Sequence, residues 1–588
     1  MADSPETGST GSVGVTVKIE GAQISDDILI ASVRVRSGLN RIPEAQVTIL
    51  SGSLQTDDFD ELDAADFVAG KEIEIAAFYG DGADQTLFKG LIISSRARID
   101  SNTGLRLELY CRDKAIGMTE IRKSVRYEEK KDSDVISDII GDAGLTADVE
   151  ATTDTAADKL RAGTTDWDYL RLLADRNGLV VNVIAGKVSV KAPDTSAAVS
   201  LEVTVGADVL ELDIEIDSQR MIKSASATSW DDTTQETVSG TSATVTGLTP
   251  DNVTAANLAE VLSDREHTAF TAATVASAEL TTRSKARTTR AGLGAVSGSV
   301  TYQGNNMIEP GKTLEIKGFG ERYSGTGYAV SVEHRIEAGT WLTVCRLGLP
   351  PDWTSDSTGF ASPAAEAMNA PIHGLQIGKV LTVAEDPDTR LRIQIELPLV
   401  GDPPAKVWAR YAQPYASSAA GIQFLPETGD EVVVAFLNAD PEAPVIVGSL
   451  HNGTAARPID AEEDNNLKTI TTRSELRMTF DDDKKIITVS TPGGHTLTLD
   501  DDASTFSMED MNGNSIVMDD SGIAITSDKD ISITATQNIT AEATQDATIE
   551  GMNITCTAQT ELTVEGNATA KLSSGGQTTV EGSIVMIN

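Results

Sequence analysis

The chain has 588 residues, with 47 Lys and Arg against 89 Asp and Glu, giving a formal net charge of −42. At roughly 100–200 residues per domain this length predicts about three to five domains. A charge of that size and sign argues against a nucleic-acid binder and against docking on an anionic membrane, both of which need a cationic face. Hydrophobic residues make up 40% and aromatics 4%, apolar material that suits narrow β interiors built from Val, Ile, Leu and Ala.

Residues 1–13 read as a flexible tail, and the opening stretch MADSPETGSTGSVG has neither the basic nor the apolar region of a signal peptide. From 14 to 350 period-two alternation dominates, as in Val15–Ile19, Val33–Val35, Val47–Ile49, Ile73–Ile75 and Leu105–Leu109, the pattern of half-buried strands. Two helices interrupt it. One starts around Asp132-Ser133-Asp134 and carries Val135, Ile136, Ile139 and Ile140. The other runs from Thr165 to Asn177-Gly178 with Trp167, Leu170, Leu173 and Ala174 as an apolar stripe. Residues 227–290 are rich in Thr, Ser and Ala and read as a weakly specified insertion with one surface helix from Asn252 to Asp264.

Residues 351–370, opened by Pro350-Pro351, form a linker or an ordered strap. From 371 to 453 five short strands, 374–383, 390–397, 406–411, 431–436 and 444–450, suit a small barrel of the oligonucleotide/oligosaccharide-binding type. Residues 454–484 are a transition. Residues 485–588 form a shaft, first with longer alternating strands and turns such as Asn512-Gly513 and Ser521-Gly522, then with a repeat.

The repeat starts at Asp530, Asn538, Asp546, Asn553, Glu561 and Gln577, and reads polar, apolar, Ser/Thr, apolar, any, Ala/Gly. Its period is close to eight residues, one strand and a corner. One such strand carries two or three small apolar side chains on one face, too few for one chain to enclose a core. Three chains that each supply one side would do so. Ile531, Ile533, Ile539, Ile549, Ile554, Leu562, Val564 and Val580 would then fill a threefold interior. The alternative is a single-chain solenoid with three octads per 24-residue turn. Ile584, Val585, Met586 and Ile587 leave an apolar surface beyond the last octad.

Chemical motifs are few. Cys111, Cys345 and Cys556 lie far apart, with no metal-ligand spacing. No nucleophile elbow, P-loop or zinc-protease His pair is present. Asp481-Asp482-Asp483 and Asp500-Asp501-Asp502 are oxygen-rich turns without EF-hand spacing. No catalytic residue, cofactor site or metal site is assigned. An enzymatic, polysaccharide-cleaving tailspike and a β-solenoid adhesin stalk are the competing classes.

The barrel residues Gly378, Trp408, Arg410, Pro426, Gly429, Asp440, Pro441, Gly448 and Asn452, the segment Asp166–Gly178 and the octads, in that order, resemble the VgrG-type spike proteins of contractile injection systems and phage tails. The resemblance covers about residue 14 to 588. It implies a mainly β fold: a hub of two barrel-like subdomains with a few helices, an OB-fold barrel and a trimeric intertwined β-helix. It implies a non-enzymatic homotrimer that caps the inner tube at the baseplate and pierces the target cell envelope on sheath contraction. A PAAR-repeat tip protein would bind at Ile584–Ile587, and cargo effectors would travel as separate proteins. Leu450–Lys484 is too short for the lysozyme domain of some relatives. No histidine follows His495, so the His-x-His iron site of some phage spikes is not expected. Assembly in the cytoplasm without a signal peptide, and function in an injection particle, follow from the same resemblance.

Overall fold

The computed structural model describes residues 5, 11–50, 60–100, 104–245, 253–262, 265–350, 352–356, 359 and 363–587. The chain divides into two units, Met1–Gly448 and Ser449–Asn588.

The first unit is built on a thirteen-stranded sheet. Its alternating segments pair as their side-chain period demands. Val13–Ile19 runs antiparallel to Glu72–Tyr79, and Val17, Ile19, Ile73 and Ile75 all turn to one buried side. The strand begins at Val13, and Gly80 N donates to Ser12 O at 2.8 Å. The end of the expected tail is therefore tied to the sheet, while residues 1–4 and 6–10 lie outside the described residues.

The expected two barrel-like subdomains of the hub are one continuous sheet with two cores. One core gathers Val17, Val33, Val47, Ile75, Leu109 and Trp341; the other gathers Leu201, Val300, Tyr302, Leu314 and Cys345. The strand Gly325–Glu337 explains the continuity. It pairs with Thr313–Lys317 at one end, with Leu29–Gly38 at the other, and with Thr340–Leu347 along its length. Cys111 and Cys345 are free thiols in these cores, each pushed up to about 12 by burial, and so inert.

Both expected helices form, as Asp132–Asp142 and Asp166–Arg176. Thr165 caps the second, its hydroxyl accepting from Asp168 N at 3.1 Å. Trp167, Leu170, Leu173 and Ala174 are buried against Val135, Ile136, Ile139 and Ile140. A three-stranded sheet of Thr146–Val149, Val180–Ile184 and Lys187–Lys191 completes this third core.

The 227–290 segment is not weakly specified. Ser224–Asp231 pairs with Glu236–Ser239 and Ala243–Thr244 on one side and runs parallel to Glu266–Thr271 on the other. The helix Ser277–Leu293 buries Leu280, Ser284, Thr288 and Ala291. Its hydroxyls bond back to the preceding turn, Ser284 Oγ to Leu280 O at 2.9 Å and Thr281 Oγ1 to Ser277 O at 2.8 Å. Such residues fill a helix face without producing an apolar periodicity. The surface helix is short, Ala255–Glu260; Asn252 and Asp264 lie outside the described residues.

The start of the 351–370 linker is pinned. The Trp353 ring lies under two guanidinium groups, Arg290 at 4.6 Å and Arg287 at 4.9 Å. Thr354 N donates to Asp175 Oδ2 at 2.8 Å, and Arg290 donates to Asp175 Oδ1 at 2.6 Å.

The barrel closes through Gln376–Thr382, Ile393–Leu397, Ala405–Tyr411, Pro444–Leu450 and Glu431–Phe436. Val380, Ile393, Ile395, Leu397, Val432, Val434 and Ile446 fill it.

In the second unit, seven antiparallel strands of five residues each form a meander from Leu467 to Thr526. Its first strands thus lie inside the expected 454–484 transition. From 527 to 587 there is no paired strand.

Candidate functional site, an uncovered β-shaft

The barrel signature is mostly turn chemistry and close packing. A Cβ on Gly378 would sit 3.0 Å from Val434, 3.2 Å from Val432 and 3.3 Å from Ile395, so the interior leaves no room for one. Gly378→Leu is expected to destabilise the barrel by about 1–3 kcal/mol through overpacking; an unchanged denaturant midpoint would show that the interior is looser than these distances.

Gly429 has φ +97, a conformation that L side chains rarely adopt, and its N–H donates to Val380 O at 2.8 Å. Pro426 is buried. Asp440, next to Pro441, accepts from Glu442 N at 3.0 Å and from the Asn369 amide at 3.2 Å. Asn452 caps its own turn, accepting from Thr454 N and Ala455 N at 2.9 and 2.8 Å. Trp408 pairs with Gln394 and Arg410 with Val445 on the barrel wall. A Cβ at Gly448 would meet nothing, so nothing in this chain explains a glycine there. Beside the barrel, Tyr415, Ile422, Phe424 and Leu425 are exposed on a small hairpin arm.

The meander has a different character. Its register aligns alternate residues into two continuous apolar rows on one face. One row is Ile470, Met478, Val489, Leu497, Met508, Ile516 and Ile525. The other follows Lys468 with Phe480, Ile487, Leu499, Phe506, Met518 and Ile523. Thr469, Thr479, Thr488, Thr498 and Ser507 align on the opposite face. Yet among the described residues none from 447 to 587 is buried. Thirteen apolar side chains on one face of a one-layer sheet, none of them buried, are an association liability.

The acidic turns Asp481–Asp483 and Asp500–Asp502 are hairpin corners. Asp481 accepts from Lys484 N at 3.0 Å and Asp500 from Ala503 N at 2.8 Å. Among the described residues no group of three or more His, Cys, Asp or Glu is placed to hold a metal ion.

The octad residues continue the uncovered face. Ile531, Ile533, Ile539, Ile549, Ile554, Leu562, Val564 and Val580 are all exposed, from 56% at Ile531 to 83% at Val564. Ile584, Val585, Met586 and Ile587 are exposed as well. The structure brings none of them together within one chain. The solenoid alternative requires ladder bonds between segments about 24 residues apart, and the described residues 527–587 contain none. The meander rows were not singled out individually in the sequence, although their alternation was visible.

Similarity to known family models falls on the hub and on the barrel. Residues 376–451 match the family model of the type VI secretion system/phage-baseplate injector OB domain, and residues 9–338 match that of the Alg8 N-terminal domain. A type VI secretion system spike protein VgrG3 from Vibrio cholerae is 41% identical over 63 residues, 11% of this chain and 6% of the relative. An actin cross-linking toxin VgrG1 from the same species is 32% identical over 74 residues, 13% of this chain and 7% of the relative. The matches thus span a small part of either relative's length, and cross-linking is a property of the toxin. A tail protein from Neisseria meningitidis superposes with a TM-score of 0.43 at 15% identity, over 59% of this chain and 99% of that one.

The closed barrel is thus similar to the injector OB domain of type VI secretion systems and phage baseplates, and a VgrG-type spike protein is among the relatives matched. By the match that covers more than half of its length, the chain belongs to the Alg8 N-terminal domain family.

Proposed function

We propose that three copies of this chain form the central spike of a contractile injection machine, with the hub on the inner tube at the baseplate and the shaft leading. The observation that carries this reading is the shaft itself, two apolar rows and a run of octads without one buried side chain among the described residues. Fully burying one Leu, Ile or Phe side chain stabilises by about 1.5–3 kcal/mol. Thirteen row positions per chain are a gross driving force on the order of 20 kcal/mol before ordering entropy. Three sheets that turn their rows inward cover all of it, and interwound octads leave no lateral edge. The exposed barrel arm at Tyr415–Leu425 supports contact between neighbouring barrels.

The work of such a spike is mechanical. A stiff, narrow, fully paired shaft transmits the force of sheath contraction to its point and pierces the envelope without acting on a substrate. Assembly takes place in the cytoplasm, before the particle is used. Ile584–Ile587 offers an apolar seat for a PAAR-repeat tip protein. Deletion of residues 583–588 is expected to remove capture of a co-expressed PAAR-repeat protein while keeping the threefold mass. Retained capture would contradict the tip assignment; loss of the threefold mass would show that these residues hold the trimer instead.

A further inference from the structure

The linker 351–370 is rich in Ser, Thr, Ala and Pro, a composition that does not by itself order a chain. Three anchors hold it. Its far end belongs to the barrel: Ile372 N donates to Ala439 O at 2.9 Å, and the Asn369 amide donates to Asp440 Oδ1 at 3.2 Å. Its middle is held by Arg122, whose guanidinium donates to Gly359 O and, at 2.9 Å, to Gly163 O. Its start lies on the hub.

The hub anchor is built around Arg290, on the helix Ser277–Leu293. The guanidinium donates to Asp352 O at 2.9 Å and to Asp175 Oδ1 at 2.6 Å, and it lies 4.6 Å from the centre of the Trp353 ring. Arg287, one turn earlier, lies 4.9 Å from the same ring. Asp175, on the helix Asp166–Arg176, accepts from Thr354 N at 2.8 Å with its second oxygen. The arrangement is dry. The Arg290 and Asp175 side chains are 8% and 6% exposed, and Thr354 is 1% exposed. A buried ion pair is tolerated when its remaining donors and acceptors are bonded, and here residues 352–354 supply those bonds. Lifting them away would leave both charges short of partners.

The helix is itself firmly seated. A Cβ on Gly178, just past the helix Asp166–Arg176, would stand 3.0 Å from Ala286 Cβ, and Leu349 N donates to Leu293 O at 3.0 Å. We infer that the helix Ser277–Leu293, and with it the 227–290 segment, is a latch for the linker. It clamps residues 352–354 between Arg290, Arg287 and Asp175 and so fixes the point where the chain leaves the hub for the barrel. In a spike, load would pass from hub to barrel through this joint. The latch is a property of one chain and does not depend on the threefold reading.

Hydrogen exchange of the full-length chain, read by mass spectrometry, tests it. In the wild type the peptide covering residues 352–360 is expected to be protected. Trp353→Ala removes the clamped ring from the linker side. Arg290→Lys keeps the charge beside Asp175 but loses the fork that also reaches Asp352 O. Each should speed exchange in that peptide by about tenfold or more, while peptides from 166–176 and 277–293 keep their protection. Unchanged protection of 352–360 in both variants would overturn the latch. Loss of protection that spreads through 277–293 would overturn it as well, because the cluster would then be holding the helix rather than the linker.

Discussion

Replacing Leu499 with Asp is expected to leave the protein monomeric. Leu499 stands in the middle of its row, opposite Ile487 on one strand and Phe506 on the next. If three sheets turn these rows inward, three carboxylates would meet in an apolar interior at one level. Each buried, unpaired charge costs several kcal/mol, and threefold symmetry repeats the penalty at every copy. Leu499→Met, close in volume, should cost less than about 1.5 kcal/mol and keep the assembly. Light scattering reads the mass, and tryptophan fluorescence follows the hub through Trp167, Trp341 and Trp353. A Leu499→Asp protein that stays trimeric with unchanged thermal stability would show that this row does not face its partners.

The second large effect lies in the hub. Asp132 is buried at the start of the helix Asp132–Asp142. It accepts from Arg176 Nε at 2.6 Å, from the Asn177 amide at 2.7 Å and from Lys159 Nζ at 2.8 Å. Lys159 also reaches Asp154 at 2.7 Å. These bonds tie together two helices and the strand Ala157–Thr165, the frame of the third core. Asp132→Ala is expected to destabilise the hub by about 3 kcal/mol, because it leaves the part-buried Arg176 and the nearly buried Lys159 short of a counter-ion.

The same group sets an acid limit. Burial alone would push the Asp132 carboxyl up, but hydrogen bonds and charge from Arg176, with Lys159 and Asn177, outweigh it and hold it below the ordinary carboxylate value. A depressed carboxyl contributes stability that is fully present above its unfolded pKa of about 3.9 and is lost as pH falls through the folded value. The wild-type hub should therefore weaken below about pH 4, and the variant should show a flatter loss. Urea unfolding at pH 7 and pH 3.5 measures both. A variant within about 1 kcal/mol of wild type at pH 7 would remove this network from the account.

What the sequence made legible follows its local signals. The barrel was readable because five short alternating strands are separated by turn residues whose geometry is local, such as Gly429 and Asn452. The helix Asp166–Arg176 was readable from one stripe and one cap. The helix Ser277–Leu293 was missed because hydroxyls bonded to the preceding turn occupy its buried face, where apolar residues give the usual signal. The continuity of the hub sheet was hidden because it depends on Leu29–Gly38 meeting Gly325–Glu337, a pairing nearly 300 residues apart in the chain. The start of the meander was obscured by Lys468, which sits opposite Phe480 in the apolar register and reaches Asp482 instead.

The shaft was legible for a different reason. Among the described residues it has no buried core, and the eight-residue period shows how little one chain supplies, which is what the proposed trimer answers. Individual octad positions such as Ile549 and Val564 are exposed in the single chain.

The most direct measurement is the molar mass of the purified full-length chain by size-exclusion chromatography with light scattering. The account predicts a mass near three times the 62.0 kDa of the chain. A 62.0 kDa species whose shaft resists proteolysis would contradict it, because a single copy would then be covering its own rows.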